Sequence, residues 1–373
     1  MGTRSHPIAQ PVTEFGKPPD KGEFEFTLLG PGYGESIVLH VGEGVWILVD
    51  SCVGEGGTPR VLQYLESIGV DPAEAVGLIV ATHWHDDHIR GIANLVEVCS
   101  QATFCCASAL CEKEFLTVAD ALERRRPSFI SSGLREIHNV ISRLMQTRSS
   151  PKLALADRRL FVQGNCEIWS LSPSDQAFQR FLRSISGLVT NRGGRGEMRV
   201  PDLSPNKVAI ALWVRVDDVT MLLGSDLEKR GWTEILQSRQ RPTAKASVFK
   251  IPHHGSESAD APEVWEHMLD FDPTAVLTPW RRGGRAVPNQ REVELILSRT
   301  SKAYVTARSS SSKRGPAGRR SVVTRTIRES GIKLRQLSMS PGAVRLRYQL
   351  GSRTQLSVET FGAACHLKDF TQQ

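Results

Sequence analysis

The stretch ATHWHDDHIRG, residues 81–91, packs three histidines and two aspartates into six consecutive positions of a 373-residue chain with ten histidines in all. Its fixed pattern is HxHxDH: His83, His85, Asp87 and His88. The apolar run AVGLIVA (75–81) that precedes it reads as a buried strand ending at the histidines. The cluster therefore sits on the loop leaving a strand, where α/β sheets place chemistry. In extended backbone, residues two apart point to the same side, so His83 and His85 face one centre. A turn immediately afterwards would bring Asp87 and His88 round toward a second. Imidazole nitrogen and carboxylate oxygen are ligands that zinc, manganese or iron accept at about 2.0–2.2 Å. Such a concentration is a poor surface loop, because like charges packed together repel unless a cation offsets them.

Outward from the loop, short strands come first: FEFTLLG (24–30), the turn PGYGES (31–36), SIVLHV (36–41) and VWILVDSC (45–52). TPRVLQYLESIGV (58–70) reads as a helix, with Pro near its start and Gly near its end. Residues 108–150 form a largely helical insertion. RLFVQGNCEIWSLSP (159–173) returns to strand, and residues 176–203, polar with Gly and Arg, read as a mobile basic loop. NKVAIALWVRVDDVTMLLGSD (206–226) is a hairpin turning at Asp217 and Asp218. KASVFKIPHHGS (245–256), PTAVLTPW (273–280) and SKAYVTAR (301–308) are further strands, with helices at 227–239 and 289–299. VRLRYQL (344–350) is the last strand predicted. The organisation expected is a flexible leader over 1–22, one domain over 23–350 and a tail over 351–373. Each half runs from paired strands to alternating strand and helix, which two stacked sheets with helices outside would accommodate.

Composition narrows the class. Hydrophobic residues make up 40% and charged residues 23% of the chain, the range of a globular protein. No apolar run reaches the roughly 18 residues of a spanning helix, so no membrane segment is predicted. The seven cysteines are irregularly spaced without a CxxC pair, which points to reduced thiols and a cytoplasmic location. The formal charge of +7 permits a polyanionic partner.

On these residues the chain resembles the metallo-β-lactamase superfamily, in which HxHxDH is the signature loop. The resemblance spans roughly residues 24–310 and implies an α/β fold, the αββα sandwich of two stacked mixed sheets with helices outside. It implies that Asp50, at the end of WILVD, orients the metal loop, and that Asp226, at the end of TMLLGSD, bridges two ions. His254 of PHHGS is the first choice for a late ligand, with His253 the second choice or a substrate-facing neighbour. Within the superfamily, GPGYGES, LLGSD, PHHGS and AVLTPW…AYVTAR most resemble the nuclease-type hydrolase domain of bacterial DNA-uptake competence proteins. Two departures stand out. The ligand histidine that many members carry before the bridging aspartate has only His138 to stand for it, in a helix where a structural role is expected. Asp175, just past a strand, could replace it or be an ordinary turn aspartate. After TPW the chain has RRGGRAVPNQ where such domains tend to show His-Pro, so that role is lost or passes to Arg281, Arg282 or Arg285.

The implied cofactors are two divalent ions, zinc or manganese. Held about 3.5–4 Å apart, they lower the pKa of a shared water so that hydroxide is available near neutral pH. Asp87, His253 and Asp50 are the catalytic candidates, with His253 aiding the leaving oxygen. Ser225 and Ser256 are expected to orient loops. Arg180, Arg183, Arg192 and Arg195, the run 281–285 and SSSSKRGPAGRRS (309–321) could pair with phosphates. These residues point to a metal-dependent nuclease acting on DNA or RNA. The alternatives are a phosphodiesterase for a small ester, such as a cyclic nucleotide or a phosphocholine ester, and a non-catalytic binding module.

Overall fold

Strands with continuous apolar runs lie in the middle of two sheets, and strands with interrupted runs lie at their edges, as burial on one or two faces requires. The computed structural model describes residues 15–30, 34–125, 132–190, 204–282, 285–308, 340–352 and 356–370. The first sheet holds β1 (Glu23–Gly30), β2 (Ser36–His40), β3 (Trp46–Val49), β4 (Val76–Ala81), β5 (Thr103–Ala107) and β6 (Lys152–Ala154). The second holds β7 (Arg158–Gln163), β8 (Cys166–Ser170), β9 (Leu212–Val216), β10 (Val219–Leu223), β11 (Ala246–Lys250) and β12 (Leu269–Leu277). A small hairpin of β13 (Trp280–Arg282) and β14 (Arg285–Val287) follows, then β15 (Ala303–Val305), β16 (Gly342–Gln349), β17 (Ser357–Gly362) and β18 (Cys365–His366). The orders are β17-β16-β1-β2-β3-β4-β5-β6 and β18-β15-β12-β11-β10-β9-β8-β7, eight strands each. In both, an antiparallel meander gives way to parallel strands. This is the α/β two-sheet sandwich of mixed sheets expected from the sequence.

Period-two alternation decides what lies between the layers. Leu212, Val214, Met221, Leu223, Val248 and Val276 point into the core shared with the first sheet. Their neighbours Trp213, Leu222, Phe249, Ala275 and Leu277 point the other way. There they meet α8 (Lys229–Gln237), α9 (Pro262–His267) and α10 (Gln290–Leu297) through Trp232, Ile235, Val264, Val293 and Ile296. The first half carries α1 (Arg60–Ser67), α2 (Pro72–Ala75), α3 (Asp86–Ile89) and α4 (Ile92–Val98), and the helical insertion supplies α5 (Lys113–Arg125) and α6 (Ser132–Gln146). All seven cysteines are free. No helix among the described residues is long and apolar enough to cross a membrane.

Three boundary expectations need correction. The mobile loop at 176–203 is, over Asp175–Thr190, the helix α7, whose Phe181 and Ile185 are buried; the F-x-x-F-L-x-x-I spacing of residues 178–185 carried that signal beneath the polar residues. Residues 191–203 lie outside those described. The tail at 351–373 is structural: β17 covers an edge of the first sheet, β18 pairs with β15, and Leu367 and Phe370 are buried against the second sheet. Unpaired edges invite association, and short terminal strands close them without a strong pattern of their own. The end of the leader is docked as well. Phe15 packs on Tyr64 and Phe361, while Arg345 and Arg347 donate to the Phe15 and Lys17 carbonyls at 2.7 Å each.

Candidate metal centre

The loop leaving β4 is shaped by neighbours on both sides. His85 is the N-cap of α3, the single turn that rotates Asp87 and His88 away from His83. Trp84 anchors the loop beneath, its ring 5.3 Å from Phe115 and 5.7 Å from Phe181. Asp86, which the HxHxDH pattern leaves without a role, accepts the Gly133 N–H at 2.6 Å and so binds the start of α6. From the opposite side, Glu35 N–H donates to the Asp87 carbonyl at 2.9 Å. Gly34 lies so close that a Cβ would sit 1.9 Å from that carbonyl oxygen, at φ +111°. Gly34→Ala is therefore expected to cost at least about 2 kcal/mol of stability, measured by denaturant unfolding. A variant as stable as the parent would show that this contact is not needed.

Four segments converge at one end of the sandwich. His83, His85 and Asp226 present ligand atoms within 4.8 Å of one another, and so do Asp87, His88 and His254. Asp226 lies between the two groups: its Oδ1 is 3.2 Å from His88 Nε2, and its Oδ2 is 3.7 Å from His83 Nε2 and 3.9 Å from His254 Nε2. His254 Nε2 is 3.3 Å from Asp87 Oδ2, and His83 Nε2 is 3.1 Å from His85 Nδ1. The back of each ring is held by a hydrogen bond that fixes its tautomer. His88 Nδ1 donates to Asp50 at 2.8 Å and His254 Nδ1 to the Thr278 carbonyl at 3.0 Å. His83 Nδ1 lies 3.0 Å from Thr82 Oγ1, whose proton goes to Asp50 at 2.7 Å. The Ser225 hydroxyl in turn donates to Thr82 at 2.8 Å. All three Nε2 atoms are thereby left to face the centre. Asp50 also accepts the Thr82 N–H, so one carboxylate ties the start of the loop to its end.

Electrostatics fit a cation. His88 Nε2, His254 Nε2 and Asp226 Oδ1 are buried without a hydrogen-bond partner among the described residues. Burial works against an imidazolium at His88 and His254, yet the neighbouring carboxylates, Asp226 foremost, outweigh it and hold both above the ordinary 6.5. Burial likewise works against the Asp226 carboxylate, and the same histidines still hold its pKa well below the usual range. Asp87 is lowered too, by His254 and His88 against burial. Burial lowers His83 and His85, leaving them neutral near pH 7. The cluster thus attracts positive charge, and its buried N and O donors are those of divalent metals.

The remaining expected site residues fall elsewhere. His253 stands at the mouth, its side chain 26% exposed, with Nε2 3.9 Å from Asp226 Oδ2 and Nδ1 3.2 Å from Ser258 Oγ. Asp175 is a correction: it is an exposed first-turn residue of α7, in no ligand group with the histidines, and Ser174 beside it accepts the Ala177 N–H. A helix start used the polar residues that a ligand loop would have needed. His138 lies within α6, likewise in no ligand group. Arg180 donates to Glu234, and Arg183 donates to the Gln179 carbonyl at 3.2 Å. Arg281, on β13, has a buried Nε without a partner among the described residues, next to Trp280, which stacks near His254. Arg282 and Arg285 belong to the same hairpin. Arg192, Arg195 and residues 309–321 lie outside the described residues. Glu35, Thr82, Thr278 and Lys250 escaped the sequence reading, although a lysine inside the apolar run VFKIP was a visible anomaly.

Residues 29–139 match the model of the metallo-beta-lactamase superfamily. ComE operon protein 3 of Bacillus subtilis (strain 168) is 28% identical over 93 residues, 25% of this chain; the match spans only 12% of that relative. Among solved structures, MEM-A1, a subclass B3 metallo-beta-lactamase from a soil metagenome library, is 13% identical with a TM-score of 0.33, over 67% of this chain and 83% of its own. Zn2+-bound PqqB of Methylobacterium extorquens is 9% identical with a TM-score of 0.32, over 59% and 60%. The match to the metallo-beta-lactamase superfamily over residues 29–139 takes in the whole HxHxDH loop, and it is to this family that that part of the chain is similar.

Proposed function

We propose that this chain is a metal-dependent phosphodiesterase whose substrate is nucleic acid, that is, a nuclease. One observation carries the reading: the ligand groups His83, His85, Asp226 and Asp87, His88, His254 adjoin at Asp226, whose Oδ1 lies 3.2 Å from His88 Nε2, and Trp280 of the hairpin that carries Arg281 stacks near His254. Two divalent ions there, zinc or manganese, would supply an activated water and stabilise charge developing on a phosphoryl group. His83, His85, His88, Asp87, Asp226 and His254 would hold them. Asp50 keeps the His88 ring aimed by accepting its Nδ1–H, and Thr278 does the same for His254. His253 is lowered by burial and so enters the reaction neutral. With Nδ1 accepting from Ser258, its Nε2–H is free to donate a hydrogen bond to a phosphoryl or leaving oxygen. The Arg281 guanidinium can pair with a phosphate. The resemblance of GPGYGES, LLGSD and PHHGS to the nuclease-type domain of competence proteins supports nucleic acid as the substrate.

A second reading, a small phosphoester, is favoured by a cavity of about 290 Å³ that begins at Leu227 and Glu228, directly after Asp226, and continues to Arg180, Phe181 and Arg230. The test is incubation of purified protein and Mn2+ with plasmid DNA and with RNA, using Asp87→Ala as comparator. Cleavage that disappears in D87A is the expected result. Inert DNA and RNA alongside turnover of a small phosphodiester would overturn the nuclease reading in favour of the second.

A further inference from the structure

Beneath the ligands lies a pair of opposite charges that neither reading uses. Lys250 is 1% exposed and Glu35 is 3% exposed, and the Lys250 ammonium is ion-paired with Glu35 Oε1. Among the described residues that carboxylate is the ammonium's one ionic partner. Alternation along β11 explains the direction of the lysine: Phe249 faces the outer helices, so Lys250 faces the interior between the sheets. Such a charge is costly to bury and needs a reason.

Position supplies one. Glu35 is fastened to the HxHxDH loop by its own N–H, which donates to the Asp87 carbonyl at 2.9 Å, and Gly34 presses on the same carbonyl. Lys250 is the last residue of β11, and the chain runs from it through Ile251 and Pro252 to His253 and His254. The ion pair therefore joins the backbone carrying Asp87, on the first sheet, to the backbone carrying His254, on the second. The Glu35 carboxylate also reaches both histidines of that ligand group, with Oε1 3.8 Å from His88 Nδ1 and Oε2 3.8 Å from His254 Nδ1. Glu35, His88 and Asp226 lie within ligand reach of one another, so the lysine also occupies a carboxylate that could otherwise compete for a cation.

We infer that Glu35 and Lys250 are positioning residues, a buried strut across the two sheets that sets Asp87, His88 and His254 at the separation one ion requires. This rests on the metal reading of the site. It distinguishes the two ligand groups, because His83 is held instead through Thr82 and Ser225, while Asp50 backs both His88 and Thr82.

The test is titration of apo protein with Co2+, followed by visible absorption and by metal analysis after gel filtration, with thermal unfolding of each apo variant as a control. Wild type is expected to take two equivalents. Glu35→Gln and Lys250→Met are each expected to weaken one of the two about 10–100-fold, the range for residues that orient ligands, while the other is retained. The double variant E35Q/K250M is expected to be no weaker than either single, since a strut broken once is broken. It also removes both charges together, so it reports even if K250M, with an unpaired buried carboxylate, does not fold. Variants that bind both ions as tightly as wild type, that lose both ions equally, or that combine additively would overturn the strut. Wild type that takes up no Co2+ would overturn the metal reading itself and the strut with it.

Discussion

Asp226→Asn is expected to abolish hydrolysis while leaving the sandwich intact. The substitution keeps the side-chain shape, so the buried pocket at the end of β10 stays filled. It removes the charge that the His83, His88 and His254 nitrogens surround at 3.2–3.9 Å. Because this carboxylate serves both ligand groups, its loss affects both, whereas a substitution at His85 or Asp87 affects one. If the centre contributes several kcal/mol to the transition state, the rate should fall at least about 10³-fold. Steady-state kinetics with metal analysis of the same sample checks this. A variant with wild-type turnover would sink the assignment of the centre, and so would one that is inactive with its full metal content, since the geometry argues that occupancy and activity are lost together.

The second large effect is a metal- and pH-dependent stability. His88 and His254 have folded-state pKa values above 6.5 because carboxylates face them. Each therefore contributes stability that is fully present below its unfolded value and is lost as pH rises through the folded one. Asp87 and Asp226, held below 3.8, contribute stability present above that value and lost as pH falls through their depressed values. His40, His83, His85 and His253, lowered by burial, work in the opposite sense only up to about pH 7, where they are neutral folded and unfolded. Above that His88 and His254 govern, and the apo protein should become less stable as pH rises toward about 9. Divalent metal competes with those same protons, so its stabilising effect should grow over the same interval. At a free concentration about 1,000 times Kd, one site contributes about 4 kcal/mol, a rise in Tm of at least about 5 °C. Thermal unfolding with EDTA and with Zn2+ or Mn2+, at pH 6.5 and pH 8.5, measures it. A metal-induced shift that is absent, or larger at the lower pH, would contradict the site.

The core of the candidate centre was legible because its signals are local. His83, His85, Asp87 and His88 sit within six residues, and the strand ahead of them is a plain apolar run. Asp226 and His254 likewise end apolar strands in conspicuous motifs. Asp175 misled for the same local reason: a polar residue just after a strand is equally a helix start, and the difference lies in what packs against it. The helix α7 was concealed by its polar face, and β17 and β18 are too short to show a period. Glu35 and Lys250 are 215 positions apart in sequence and look unrelated until the two sheets face each other.

Residue chemistry and spacing, taken alone, determined that this chain concentrates nitrogen and oxygen ligands at strand ends and alternates apolar residues for two layers. Those properties depend on neighbours within a few positions, where backbone period dictates direction. Only the tertiary structure decided that Asp226 stands between the two ligand groups, that His254 faces inward while His253 faces out, and that a buried lysine and glutamate join the sheets behind them. Each of these is a contact between segments that meet only when both sheets have closed on one core, and no local period encodes that distance.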